Sequence, residues 1–238
     1  MLYIIKNAII IFVLQLLLLT NSLIYAGDYY YKLSGNIGLV SRYIPMSGTQ
    51  VGDGNGFQSG AAISIKGFKA YLWSNYGIPD KAFTEIDYGI EYTDKIYDAL
   101  NASIGFHKYN FPESELYNWN LEVGTYYTGK INVETRYTYC IDEDSFLSGG
   151  RLYAKIEKII IKNNASVLLY PYISTAYHWG YYGWQGFGHI TSGMRFLYKV
   201  NDFIAANALL SYQISSNNIN QKEDNFLYGG VGLYFEMN

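Results

Sequence analysis

Apolar and polar residues alternate with a period of two through almost the whole chain after Ala26. The clearest stretch is Thr84-Glu85-Ile86-Asp87-Tyr88-Gly89-Ile90-Glu91-Tyr92. Ile86, Tyr88, Ile90 and Tyr92 fall on one face, and Glu85, Asp87, Gly89 and Glu91 on the other. A strand turns successive side chains to opposite faces, whereas a helix would scatter these charges around its axis. Leu100, Ala102, Ile104 and Phe106 likewise oppose Asn101, Ser103, Gly105 and His107, and Ile131, Val133, Thr135 and Tyr137 oppose Asn132, Glu134, Arg136 and Thr138. The pattern predicts about twelve strands, at 32–44, 57–66, 67–76, 83–93, 98–109, 117–128, 130–141, 149–160, 165–178, 188–199, 203–215 and 226–236. Two are irregular: Lys158-Ile159-Ile160-Ile161 does not alternate, and Pro171 removes a ladder donor.

The connections alternate as well. Short ones are expected at Lys66-Gly67, Thr93 to Tyr97, Thr128-Gly129-Lys130, Lys162-Asn163-Asn164 and Val200-Asn201-Asp202. Longer ones are expected at Pro45 to Gly56, Tyr76 to Ala82, Asn110 to Leu116, Asp142 to Ser148, Trp179 to Phe187 and Ser216 to Asn225. Outer-membrane barrels have short turns at the periplasmic end, longer external loops and an even strand number.

Alternation alone does not say which face is inside, since a soluble barrel would bury Ile86 and Tyr88 and a membrane barrel would expose them. Three features favour the membrane: the N-terminus, the sorting of loop lengths, and aromatic residues near strand ends. The last are Tyr43, Trp73, Tyr76, Tyr92, Tyr117, Trp119, Tyr137, Tyr139, Tyr198 and Tyr212, read as interface girdles. At the N-terminus Lys6 precedes an apolar run from Ala8 to Leu19, and Ala26 is a suitable last residue before cleavage. Residues 1–26 are therefore expected to be a signal peptide and 27–238 a single outer-membrane β-barrel, reached by export. The alternative is an uncleaved anchor helix, but the run falls short of the ~20 apolar residues a span needs.

Composition agrees with a wall that meets lipid. Charged residues make up 16% and aromatics 18%, with 27 tyrosines, against about 25% charged residues in ordinary domains. A net charge of −3 gives no footprint for nucleic acid. Cys140 is the single cysteine, so there is no internal disulfide.

Ser34-Gly35-Asn36-Ile37-Gly38-Leu39-Val40-Ser41-Arg42-Tyr43-Ile44 resembles the opening strand of the TorF-type porins, a family of small outer-membrane barrels. Phe57-Gln58-Ser59-Gly60-Ala61-Ala62 resembles that family's second strand, Gly67 to Asn75 its third, and Glu85-Ile86-Asp87-Tyr88 is similar too. The match covers roughly residues 34–92. The family's usual aromatic-Arg-Gly turn is replaced by Pro45-Met46-Ser47-Gly48, so no role of that turn carries over. Phe235 is followed by Glu236-Met237-Asn238, where barrels of this kind commonly end on an aromatic residue. The resemblance implies a passive barrel, a narrow porin for small hydrophilic solutes. Its partners would be outer-membrane lipid and, during biogenesis, the barrel-assembly machinery. A structural or surface-binding barrel with a plugged lumen is the alternative.

A membrane orientation turns Arg42, Glu85, Asp87, Glu91, Glu122, Glu134, Arg136 and Arg195 inward as lumen-lining candidates. Such charges either bias the selectivity of a water-filled path or fill a narrow barrel with ion pairs. A hairpin centred on Gly129 places Glu122 directly opposite Arg136, about 5 Å away. Inward glycines (Gly38, Gly60, Gly89, Gly105, Gly124, Gly193, Gly232) either leave space or relieve curvature. An enzyme is not expected. Of His107, His178 and His189, only His189 has hydroxyls near it in sequence, Thr191 and Ser192, without a glycine-rich elbow or an evident acid. No cofactor is implied: no metal-ligand spacing appears, and Gly52-Asp53-Gly54-Asn55-Gly56 opens no helix, so it is not a phosphate loop. The ring-rich segment Trp179 to Phe187 reads as an external loop on which a sugar or partner could stack.

Overall fold

The computed structural model describes residues 31–237, apart from 48, 53, 113–115, 142–147, 164–165 and 217–224. The expected signal peptide and its cleavage point lie outside the described residues. The strands are β1 (Tyr31–Val40), β2 (Gly56–Ile65), β3 (Phe68–Gly77), β4 (Ala82–Tyr97), β5 (Leu100–Phe111), β6 (Leu116–Tyr127), β7 (Ile131–Ile141), β8 (Gly149–Lys158), β9 (Ile161–Asn163), β10 (Val167–Trp179), β11 (Gln185–Lys199), β12 (Ile204–Ser215) and β13 (Asn225–Met237). Each pairs antiparallel with its neighbour, and β13 pairs back onto β1 from Leu33↔Met237 to Val40↔Gly230, closing the sheet. β9 continues β8 along β10, so the barrel has twelve staves. Among the described residues no helix is long and apolar enough to cross a membrane.

The break between β8 and β9 has a local cause. β10 pairs with β9 through Leu169 and with β8 from Tyr172 onward. Between them stands Pro171, which has no N–H to give. The ladder therefore lapses at Ile159-Ile160, where alternation also lapses in the sequence.

Several boundaries differ from expectation. β1 ends at Val40, not near residue 44, because the chain bends at Ser41-Arg42 and Tyr43 then bridges Val51. β4 runs to Tyr97, so its turn into β5 is Asp98-Ala99. Lys66 (φ 49) and Gly67 (φ 87) form the two-residue turn between β2 and β3, both with the positive φ of a type I′ hairpin. Two connections expected to be long are tight instead, because the strands extend to Gly77 and Ala82, and to Phe111 and Leu116. The β1–β2 connection stays long, and it folds into the barrel.

The barrel is inside-out relative to a soluble one. Ile90 is 61% exposed while Glu85 on the same strand is 3% exposed. Exposed apolar residues continue around the wall, among them Ile104, Val123, Ile156, Ile173, Leu210 and Val231. Buried polar residues face them through the sheet: Ser103, Asn120, Glu122, Thr138, Arg151 and Gln213. A continuous apolar exterior of this kind belongs in hydrocarbon, where a closed ladder pairs every wall amide. Of the expected girdle residues, Tyr117, Trp119, Tyr137, Tyr139, Tyr198 and Tyr212 are exposed on the outer surface. Trp73 is not a girdle residue: it pairs in register with inward Asp87 and stands over Gly60. Tyr43 is buried and packs on Trp73, with ring centroids 5.1 Å apart.

If the wall meets lipid, Ile104→Arg should lower the unfolding free energy in phospholipid vesicles by about 2–4 kcal/mol relative to Ile104→Ala. An unchanged value would mean that this face does not meet hydrocarbon.

Candidate functional site

The inward glycines decide how the interior packs. The His107 ring occupies the space where a Cβ of Gly89 or Gly105 would stand. Trp73 does the same over Gly60, Tyr126 over Gly124 and Tyr172 over Gly193. Five of the seven inward glycines therefore receive rings from the same wall, a use distinct from both expected ones, while Gly38 and Gly232 face neighbouring backbone. The rings occupy part of the bore, and two sizeable cavities lie among the described residues beside them.

The first cavity, about 720 Å³, lies at the end of the barrel where the β1–β2 connection folds inward. Its walls include Tyr43, Met46, Ser47, Glu85, Asp87, Tyr109, Arg151, Tyr181 and Tyr182. The inward fold is anchored across the bore. The Ser47 carbonyl can only accept, so His178 Nε2–H donates to it, at 3.2 Å. Val51 N–H donates to the Tyr43 carbonyl at 3.0 Å and closes the loop's neck. Burial, and next the carboxylates of Glu85 and Asp87, hold the Tyr43 phenol well above its ordinary range, so it remains a donor. The second cavity, about 380 Å³, lies deeper and is walled in part by Lys69, Tyr71, Trp73, Glu91, His107, Glu122 and Arg136. Met46, Asp87 and Tyr109 belong to the walls of both.

The candidate residues divide into four places. Glu85 and Asp87 are buried at the mouth cavity, where Glu85 Oε2 and Asp87 Oδ1 meet no hydrogen-bond partner among the described groups. Glu91, Glu122 and Arg136 line the deeper one. Arg136 Nη1 contacts Glu122 Oε1 at 2.7 Å, and Arg136 Nε contacts Glu134 Oε1 at 2.6 Å. Arg195 lies toward the opposite end, with Nη2 3.0 Å from both Glu157 oxygens and its guanidinium over the Tyr170 ring. Lys155 joins Glu157 at 3.0 Å. Arg42 stands on no strand: it sits in the bend after β1, over the Phe226 ring and 3.5 Å from Gln50 Oε1.

The Glu122–Arg136 contact exists, but not in the expected register. Arg136 pairs with Gly124, and Glu122 with Thr138. The turn is centred one residue later than Gly129, and the ion pair runs diagonally between β6 and β7. Glu122 Oε2 also accepts from Thr138 Oγ1 at 3.1 Å, and Thr138 Oγ1 in turn accepts from Arg151 Nη2 at 2.9 Å.

The ring-rich loop is not an outward platform. Tyr181 is 1% exposed and lies under the Arg151 guanidinium, 4.8 Å away. Burial pushes its phenol up, partly offset by Arg151. Tyr182 donates to Asn118 Oδ1 at 2.8 Å. Of the loop's rings, only Trp179 and Phe187 at its ends are exposed. His189 and Thr191 are buried and face inward, but Ser192 lies on the outer surface and cannot assist His189. Thr191 Oγ1 donates instead to Gln213 Oε1. Arg151 and Glu157 were not among the site candidates, although they alternate inward with Tyr153 and Lys155 in the sequence. The irregular run after them hid that signal.

No protein-family model matches the chain, and none of the curated proteins is similar to it. Solved outer-membrane porins share its fold. A KdgM porin in complex with disordered oligogalacturonate aligns with TM-score 0.57 at 11% identity, over 87% of this chain and 99% of that one. A NanC porin aligns with TM-score 0.55 at 14% identity, over 86% and 100%. At such identity the likeness shows the fold alone, that of a closed antiparallel barrel.

Arg136→Ala would leave buried Glu122 without its cation and should cost about 3–5 kcal/mol in denaturant unfolding. Adding Glu122→Gln to that variant should recover part of the loss, and no recovery would exclude the pair as its source.

Proposed function

We propose that the protein is a narrow outer-membrane porin through which small hydrophilic solutes diffuse passively. The observation that carries this reading is the pair of cavities, each bordered by charged side chains, that share Met46, Asp87 and Tyr109 inside a closed inside-out barrel. Placement in the outer membrane follows from the apolar exterior, and the residue matches at 34–92 favour the TorF-type porins as its family. The signal peptide would deliver the chain to the assembly machinery, and lipid would surround the belt. Arg42, Glu85, Asp87, Glu91, Glu122, Glu134, Arg136 and Arg195 would line the route or its mouths. Glu85 and Asp87 at the mouth cavity would favour cations over anions, with Arg151 as the counter-charge in its walls. The oligogalacturonate of the KdgM complex is an acidic sugar, and this mouth does not suit one. A catalytic barrel is not favoured, because His189 and Ser192 face opposite ways.

A plugged structural barrel has one observation behind it, the inward loop held at Ser47 by His178. Conductance separates the two readings. The purified protein in planar bilayers should give small, cation-preferring single-channel steps. Replacing residues 44–50 by a short glycine-serine link should enlarge the steps several-fold. Absence of steps in the intact protein, with steps appearing only in the shortened one, would establish the plug. Absence from both would remove the porin reading.

A further inference from the structure

Three side chains that are far apart in sequence meet on the inner wall. Glu91 pairs in register with Gly105, and Gly105 with Glu122, so one row crosses β4, β5 and β6. The middle residue has no side chain. His107, two residues further along the same face, lays its ring into that space, with Nε2 over Gly105 and Nδ1 over Gly89. One ring nitrogen and one oxygen from each carboxylate then lie within 4.8 Å of one another.

The hydrogen bonds show which nitrogen is offered. Nδ1 lies 3.0 Å from the Tyr71 hydroxyl. Nε2 has no partner, although His107 is only 2% exposed. A buried imidazole nitrogen left unpaired between two carboxylates is costly unless something positive stands between them. No hydrogen bond joins Nε2 to either carboxylate, and a separation within 4.8 Å is close to the span of an ion's ligands, which lie up to ~4 Å apart when each is ~2.0–2.2 Å from the metal.

We propose that Glu91, His107 and Glu122 bind a divalent transition-metal ion of the zinc class inside the barrel. An imidazole with two carboxylates suits such an ion, whereas magnesium and calcium favour oxygen ligands throughout. Outer contacts of the usual kind are in place. Tyr71 accepts from Nδ1–H and leaves the Nε2 lone pair facing the glutamates. Thr93 Oγ1 donates to Glu91 Oε1 at 3.3 Å, and Thr138 Oγ1 to Glu122 Oε2. Two cations face the site from neighbouring strands: Arg136 on Glu122 Oε1, and Lys69, the register partner of Glu91. They moderate affinity and leave Glu122 Oε2 as the oxygen for the ion. The remaining coordination positions open into the deeper cavity, where water or a passing solute would fill them. The site does not depend on whether the barrel conducts.

The test uses the full-length protein without a histidine tag, in detergent, stripped by chelator and titrated with Zn²⁺ by calorimetry. The expected result is one ion per chain. His107→Gln and Glu91→Gln should each weaken binding at least tenfold, and Tyr71→Phe about tenfold. His178→Gln, in the other cavity, should leave binding unchanged. Heat-dependent gel mobility verifies that each variant is folded. Co²⁺ absorption of the unaltered protein gives a readout independent of any variant, with an imidazole-ligated spectrum expected. Overturning results are no saturable Zn²⁺ binding by the intact protein, a Co²⁺ spectrum identical to the aquo ion, or folded His107→Gln binding like the parent. The last would mean an adventitious ion only.

Discussion

The ladder between β13 and β1 is the interaction on which the rest depends. Until Leu33 meets Met237 and Val40 meets Gly230, the sheet has two long edges, and neither can be satisfied in hydrocarbon. Once closed, the sheet has only an inside and an outside, and every residue must be sorted to one of them. Lipid accepts Ile90, Ile104 and Val231 on the outside. The polar half of the alternation then has nowhere to go but inward, where its charges must find partners. The diagonal Glu122–Arg136 pair, the Thr138 bridge to Arg151, and the Glu157 group with Lys155 and Arg195 are consequences of closure. Pro171 is tolerated because its missing donor costs one lapse in a ladder that is continuous on either side.

Closure also sets the bore, and the glycine–ring pairs set how much of it remains. Eight strands leave room for side chains alone, while sixteen leave a wide channel. At twelve, rings laid flat over Gly60, Gly89, Gly105, Gly124 and Gly193 thicken the wall without crossing the centre. The β1–β2 connection then enters at one end and is pinned at Ser47. Between the loop and the ring-lined wall lie the two cavities. The same space over Gly105 that receives His107 brings it between Glu91 and Glu122, so a packing device also assembles a ligand set.

Strand positions were legible from alternation, and so was the sorting of faces once a membrane was assumed. Register was not. Shifting a pairing by two residues preserves every face, so alternation cannot tell Glu122 opposite Arg136 from Glu122 opposite Thr138. Tyrosine and tryptophan carried a second ambiguity, because they are at home on either face of a membrane wall. Trp73 and Tyr43 read like girdle residues for that reason, and Tyr181 like part of an external platform. The inward fold of the β1–β2 connection rests on a contact between residues 47 and 178, which no local pattern encodes. The Glu91–His107–Glu122 group was invisible for the register reason again: its members sit on three strands, and only the pairing through Gly105 aligns them.

The mouth cavity carries a last physical consequence. Glu85 Oε2, Asp87 Oδ1 and Arg151 Nε border it, and each lacks a hydrogen-bond partner among the described protein groups. Nearby, His178 Nδ1 and Asn118 Nδ2 are in the same position. Burying several such atoms in a dry interior would cost as much as a domain's whole margin of stability, at about 1–3 kcal/mol each and more for the charged ones. Water, ions or solute must therefore supply the missing partners. An interior built this way is wet by necessity, and the inward loop forms one side of that wet space. Its hold on the wall combines the His178 bond to the Ser47 carbonyl with the Tyr43 ring packed on Trp73, so the loop is tied to the barrel through side chains where the strands are tied through their backbones.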